Sequence, residues 1–311
     1  MILHAKNIGF AYQNGNAVFR DLNLSLKAGE IISIVGPSGA GKSTFLKALA
    51  GHLQINAGQI LYQGNPLLGP EEKLTAGHPD IAIVNQLFEL DYYFTVEENI
   101  SNRLHHLDDS QHTQFTNELI TVFDLQEIAK TPSKNISGGE QQRLAMACAL
   151  AKEPQVLLLD EPFVHFDVHL NKRIGDYLRQ LSNLRKMSVI LVTHDGQDAL
   201  AWSDQIIMMR KGRLNSHYSP EKAYFSPKSL YEGRFFGELN SIYIQGKQHL
   251  FRPSEFETLP FKGSYRIKVE WKSVQFKGAY SSYYYKLENG KEIVLYSNED
   301  IKELKEIYVS K

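Results

Sequence analysis

Along the chain, stretches of alternating apolar and polar residues give way to uninterrupted apolar runs, and the two patterns predict different elements. Residues 2–12 (ILHAKNIGFAY) and 18–30 (VFRDLNLSLKAGE) read as short strands, with Leu22, Leu24 and Leu26 alternating against polar neighbours and a turn signal at Asn14-Gly15-Asn16. They predict an antiparallel sheet flanking the strand that follows. Apolar runs at 31–35, 81–86 (IAIVNQ), 156–159 and 188–195 (SVILVTHD) read as further strands, the third buried on both faces of a parallel sheet. Residues 58–64 form a strand bounded by glycines.

Between the runs the period lengthens to that of helices. FLKALA at 45–50, FTNELITVFDL at 115–125 and RLAMACALAKE at 143–153 are helical, and Thr95-Val96-Glu97-Glu98 carries a cap residue and first-turn acids. Residues 87–136 open with the aromatic cluster Phe88, Tyr92, Tyr93 and Phe94 and predict a helical insertion. Past about 240 the alternation returns. Ile267, Val269 and Trp271 share a face, and 281–297 (SSYYYKLENGKEIVLYS) is a hairpin turning at Asn289-Gly290.

Composition removes several functional classes. The 311 residues suffice for two domains, and 42% hydrophobic with 22% charged residues is ordinary for a globular protein. A formal net charge of −1 gives no electrostatic case for a nucleic-acid partner. The single cysteine, Cys148, excludes an internal disulfide. Met1 leads straight into a strand, so neither a leader nor a membrane span is expected.

Candidate chemistry concentrates at strand ends. Residues 36–44, Gly36, Pro37, Ser38, Gly39, Ala40, Gly41, Lys42, Ser43 and Thr44, fit G-x-x-x-x-G-K-[ST] between a strand and a helix. The glycines let successive N–H groups turn inward around a phosphate, and the helix N-terminus adds to the anion site. Lys42 is expected at the β and γ phosphates and Ser43 at Mg²⁺. Tyr12 reads either as a core tyrosine or as an adenine-stacking face. Gln86, at a strand end, reads as a solvated loop residue or as a ligand of Mg²⁺ or of the attacking water. Ser137, Gly138 and Gly139 open a helix and make a second anion-binding surface. The strand at 156–159 ends in Asp160, suited to Mg²⁺, and Glu161, suited to polarising water. His194 ends the next strand, as a structural residue or as a γ-phosphate contact that orients Glu161.

This ordered set, phosphate loop, Gln86, S-G-G before Q-Q-R, Asp160-Glu161, Asp167 and His194, resembles the ATP-binding subunit of ABC transporters over residues 1 to about 235. The resemblance implies a P-loop NTPase α/β core of mixed sheet and flanking helices, with an antiparallel β subdomain and a helical subdomain at about 87–150. It also implies a head-to-tail homodimer in which each ATP lies between one copy's loop and the other's S-G-G segment. By the same resemblance Tyr12 stacks on adenine, Gln86 senses the membrane partner, Ser137 and Gly139 meet the opposing γ phosphate, Glu161 is the catalytic base, Asp167 a dimer contact and His194 the switch histidine. Departures from the family pattern are Ile136 and Glu140 in the signature, Cys148 where arginine is common, and Val164 in the Asp167 loop.

Residues 202–235 resemble importers of the polyamine, ferric-iron, sulfate and sugar type, and 236–311 resemble their small β-barrel TOBE module. The implied protein is a Mg²⁺-dependent ATPase, peripheral on the cytoplasmic face of the membrane. It energises import of a small solute, such as ferric iron or a polyamine, with permease subunits and a substrate-binding protein. Alternatives are a soluble ATPase acting on nucleic acid or ribosomes, and a weakly hydrolysing ATP clamp.

Overall fold

The computed structural model describes residues 1–12, 15–85, 89–104, 108–164 and 166–310. The turn residue Asn14, the site candidate Gln86, Phe88 and the pair His105-His106 lie outside that set. The chain forms two compact units, Met1–Pro220 and Glu221–Lys311.

In the first unit, β1 (Leu3–Ala11) and β2 (Ala17–Leu26) pair antiparallel. With β4 (Ala57–Tyr62) and the short β5 (Asn65–Pro66) they form a sheet of order β2-β1-β4-β5. Leu22, Leu24 and Leu26 are buried, as their alternation predicts. β3 (Ile31–Val35) instead lies in a six-stranded mixed sheet with β6 (Ile81–Val84), β7 (Val156–Asp160), β8 (Ser188–Thr193), β9 (Gln205–Arg210) and β10 (Arg213–Tyr218), in the order β10-β9-β3-β8-β7-β6. Only the β10 edge is antiparallel. All residues of β3, β7 and β8 are buried, which is why their sequences are largely apolar; the polar exceptions are Ser33 within β3 and Asp160, Ser188 and Thr193 at strand ends.

Alternate residues of these strands feed two cores. Ile32, Ile34, Leu158, Ile190 and Val192 pack with α1 (Lys42–Leu49) and the antiparallel sheet. Leu157, Leu159, Val189 and Leu191 pack with the helical layer of α2 (Val96–Ser101), α3 (Asp109–Val122), α4 (Gly138–Ala151) and α5 (Val168–Arg185). The first unit is completed by α6 (Gly196–Trp202). Because β3, β8, β7 and β6 run parallel, the chain leaves all four at the same edge, where open α/β sheets bind ligands.

The second unit starts within α7 (Pro220–Phe225) and continues with α8 (Leu230–Phe235), a hairpin of β11 (Asn240–Ile244) and β12 (Lys247–Phe251), and a sheet of β13 (Ser264–Phe276), β14 (Ser281–Leu287), β15 (Glu292–Ser297) and β16 (Glu306–Ser310). The order β15-β14-β13-β16 is antiparallel throughout. Gly290, at φ 78°, takes the left-handed position of the turn between β14 and β15. Arg252 is fully buried and holds this unit's start together. Its guanidinium donates to the carbonyls of Tyr224, Gly237 and Glu238 at 2.7, 3.2 and 3.0 Å, and stacks on the Tyr224 ring.

Candidate nucleotide site

The loop after β3 is shaped by close approach. A Cβ at Gly36 would lie 2.0 Å from the Met209 carbonyl oxygen, so only glycine fits beside β9. Gly39 and Gly41 have φ of 75° and 98°, the left-handed region that a side chain disfavours. Gly41 then caps α1 without a side chain, leaving the first-turn N–H groups for an anion. Pro37, Ser38 and Gly39 are exposed at the crest, Ala40 is buried, and Thr44 is half-buried in the first turn of α1.

Lys42 is buried and folds back, its Nζ donating to the carbonyls of Gly36 at 2.9 Å and Pro37 at 3.1 Å. Burial lowers its pKa, opposed by the nearby carboxylates Glu161 and Asp160. The carboxylates favour the charged form against burial, and two backbone carbonyls hold the amine where a phosphate would compete for it.

Asp160 ends β7 as a buried carboxylate. Burial raises its pKa, opposed chiefly by a hydrogen bond from the Ser43 hydroxyl. Its Oδ1 is buried with no hydrogen-bond partner. An orphaned carboxylate oxygen beside a hydroxyl is a hard donor set that fits Mg²⁺, which takes few protein ligands and fills its octahedron with water and phosphate oxygens. Accordingly, no cluster of three or more His, Cys, Asp or Glu suited to a metal occurs among the described residues.

Glu161 sits in the left-handed region at φ 52°, a strained conformation for a residue with a Cβ. Two contacts hold it there. Its N–H donates to the Val192 carbonyl of β8 at 2.8 Å, and the buried Gln142 amide of α4 donates to the carbonyls of Glu161 and Pro162, both at 3.0 Å. The turn aims the carboxylate at β8, where its Oε1 is 3.2 Å from His194 Nδ1. Asp198, in the first turn of α6, adds a third acid near this histidine. Burial, then the charge of Asp195, pushes its pKa up to about 6, opposed by His194. Gln142 and Asp198 were not singled out by the sequence. The Q-Q-R segment contains the first, and only folding shows which glutamine turns inward.

The remaining candidates stand apart from this cluster. Ser137 caps α4 in a capping box, accepting from the Glu140 N–H while Glu140 Oε2 receives both the Ser137 N–H and its hydroxyl, each at 2.7 Å. These bonds hold the Glu140 pKa down, and Glu140 occupies the hydroxyl an incoming anion would use. Asp167 caps α5, its Oδ1 accepting from His169 and Leu170 at 2.8 and 3.0 Å. Among the described residues, no hydrogen bond or ion pair joins Ser137, Gly138, Gly139 or Asp167 to the phosphate loop. Tyr12 is 54% exposed, set edge-on against Phe10, which rules out the core reading and leaves its ring face accessible.

A separate groove of about 1020 Å³ runs beside β6, lined by His78, Asn85, Arg103, Ala145, Cys148 and Lys152 among others. Cys148 is buried there and burial pushes its thiol up to about 12, so it is unreactive. Tyr92, Tyr93 and Phe94, ahead of α2, are exposed.

The fold and site define a phosphate-loop nucleotide-binding protein in which Ser43, Asp160 and Glu161 lie together at one sheet edge. Residues 19–164 match the family model described as ABC transporter. The chain is 34% identical over 241 residues to a spermidine/putrescine import ATP-binding protein, PotA, of Mannheimia succiniciproducens, covering 77% of this chain and 63% of that protein. It is 35% identical to the PotA protein of Spiroplasma citri, over 78% of this chain and 68% of that one. The chain thus spans just under two thirds of the length of the Mannheimia protein and just over two thirds of the Spiroplasma one. Among solved structures, the chain resembles a dimeric ATP-binding cassette in a post-hydrolysis state bound to ADP and Pi, at 28% identity and TM-score 0.63 over 70% of this chain and 98% of that one. It also resembles cbiO1 of Clostridium perfringens, part of the cbiONQ ABC transporter complex, at 25% identity and TM-score 0.61 over 71% and 89%. The chain belongs to the ATP-binding proteins of the ABC transporter family.

Proposed function

We propose that this chain hydrolyses Mg·ATP to energise a membrane importer, and that the imported solute is a polyamine. The observation that carries the hydrolytic reading is the Glu161 carboxylate, backbone-strained, aimed at His194 and one residue from the orphaned oxygen of Asp160. The N–H groups of residues 36–44 hold the phosphates, and Lys42 moves from the Gly36 and Pro37 carbonyls to the β and γ phosphates. Tyr12 stacks on the adenine. Ser43 and Asp160 hold Mg²⁺, which supplies charge neutralisation at the phosphates when bound, and Gln86 joins them there. Glu161 takes a proton from the attacking water as general base, and His194 fixes the carboxylate's direction and contacts the γ phosphate.

A second copy completes the site by presenting Ser137, Gly138 and Gly139 to the γ phosphate, with Asp167 at the contact. The dimeric state of the cassette resembled above supports a second copy. The groove beside β6, with Tyr92, Tyr93 and Phe94 exposed nearby, receives a permease subunit. A substrate-binding protein delivers the solute to that permease, and residues 236–311 act as a TOBE-like module. Attachment at the cytoplasmic face runs through the permease; no described helix is long and apolar enough to cross a membrane. Similarity to polyamine-import relatives favours polyamine over ferric iron. Purification of the tagged chain from native membranes tests the reading. A co-purifying multi-span permease and ATP turnover stimulated by polyamine-loaded binding protein are expected, whereas recovery of ribosomes without a membrane protein contradicts it.

A further inference from the structure

The two surfaces that the proposed function turns toward a second copy are built alike. Ser137 caps α4 and Asp167 caps α5, and six residues after each cap stands an arginine, Arg143 on α4 and Arg173 on α5. Both arginines reach the same carboxylate. Arg143 Nη1 donates to Asp124 Oδ2 at 3.1 Å, and Arg173 Nη1 donates to Asp124 Oδ1 at 3.4 Å. One oxygen of Asp124 therefore serves each helix.

Asp124 lies just past the C-terminus of α3, where backbone carbonyls are left without helical partners. The arginines take these as well. Arg143 Nη1 donates to the carbonyls of Phe123 and Asp124 at 3.3 and 2.9 Å, and Arg173 Nη1 to that of Thr121 at 3.3 Å. Asp124 itself is at φ 56°, a left-handed conformation that aspartate tolerates better than most residues. From Arg143 the contacts run on to the cap, since its Nη2 is 3.8 Å from Glu140 Oε1 and Glu140 Oε2 accepts from Ser137. Asp124 and Arg173 are half-exposed, and ion pairs in such positions add little stability. Their effect is geometric, because a carboxylate that fixes two arginines fixes the spacing of the two helices that carry them.

We infer that Asp124 is a positioning residue for the two-copy ATP site: by holding Arg143 and Arg173 together it keeps Ser137, Gly138 and Gly139 in register with Asp167, so that both surfaces meet the second copy at once. The inference rests on the two-copy site proposed above. Among the described residues, no hydrogen bond or ion pair joins Asp124 to the phosphate loop, Asp160 or Glu161, so it acts through the helices it joins.

Release of ATP tests it, in the full-length chain carrying Glu161→Gln so that bound ATP stays intact. ATP held between two copies is expected to leave slowly after a chase with unlabelled nucleotide, and far more slowly than ADP, which the phosphate loop holds alone. Asp124→Asn suits the left-handed backbone, but its amide replaces one acceptor oxygen by an NH₂ donor that faces one of the two arginines. It should hasten ATP release about tenfold and leave ADP affinity unchanged. Arg173→Ala should do the same, and the two together should hasten release no more than either alone, because each breaks the same link. Unchanged circular dichroism establishes that the variants are folded. ATP that is retained by the parent but released no faster by the variants, or faster in additive steps, overturns the inference and leaves the two-copy site standing. Equal losses of ATP and ADP affinity also overturn it, since a general loosening of the fold would act on both. ATP released from the parent chain as fast as ADP overturns the two-copy site and the inference with it.

Discussion

His194 Nδ1 stands 3.2 Å from Glu161 Oε1, across the ends of two neighbouring parallel strands. Glu161 is at φ 52° with its backbone held by Val192 and Gln142, and the histidine is half exposed, so a backbone-anchored carboxylate stands beside a solvent-accessible partner. That asymmetry suits a base that must stay in place while the group beside it responds to phosphate.

The fixed carboxylate depends on Gln142. Gln142→Ala leaves the Glu161 and Pro162 carbonyls without this donor and should cost about 1–3 kcal/mol of stability. It should also lower kcat about tenfold, with ATP affinity little changed, because the turn rather than the phosphate loop is loosened. Urea unfolding and steady-state kinetics on the same preparation check both effects.

Glu140 already accepts from the Ser137 hydroxyl, so a phosphate reaching Ser137, as proposed, would compete with it. Glu140→Gln keeps a capping-box residue at that position but removes the charge, so helix stability should change by less than about 1 kcal/mol. The KM for ATP should fall several-fold, most clearly at low ionic strength. An unchanged KM would show that Glu140 swings clear when ATP binds.

Asp198 gives a pH signature. Its folded pKa, about 6, lies above its unfolded value, so the folded chain binds the extra proton between roughly pH 4 and pH 6. The group's effect on stability is therefore least unfavourable below that window and a full penalty above it. Asp198→Asn should raise the melting temperature at pH 8 and have little effect near pH 3.5, below the window, which differential scanning calorimetry at the two pH values measures.

Much of this was legible before folding, for reasons that differ by residue. The strand at 156–159 and the loop at 36–44 are local patterns, since burial on both faces demands an apolar run and a phosphate nest demands glycines. The S-x-x-E spacing of Ser137 and Glu140 is also local, yet a reading attentive to the helix N-terminus as an anion site overlooks the carboxylate already bound there. Gln142 and Asp198 were hidden, because the partners of one lie about 20 residues away and the behaviour of the other comes from burial. Tyr12 was ambiguous in sequence, and an edge-on packing against Phe10 resolved it to the surface.

Lys42 and Asp160 separate binding from metal dependence. Lys42→Ala removes the ammonium tethered to the Gly36 and Pro37 carbonyls and should abolish ATP binding by isothermal titration calorimetry. Asp160→Asn should retain metal-free nucleotide binding while losing the tightening that Mg²⁺ gives.

The most direct measurement is Mg²⁺-dependent ATP turnover by the wild type and Glu161→Gln, followed in the same samples as bound nucleotide. If Glu161 is the general base, the variant should bind ATP as tightly as the wild type, retain it unhydrolysed and turn over at least about a hundredfold more slowly. Turnover undiminished by the substitution would contradict the account.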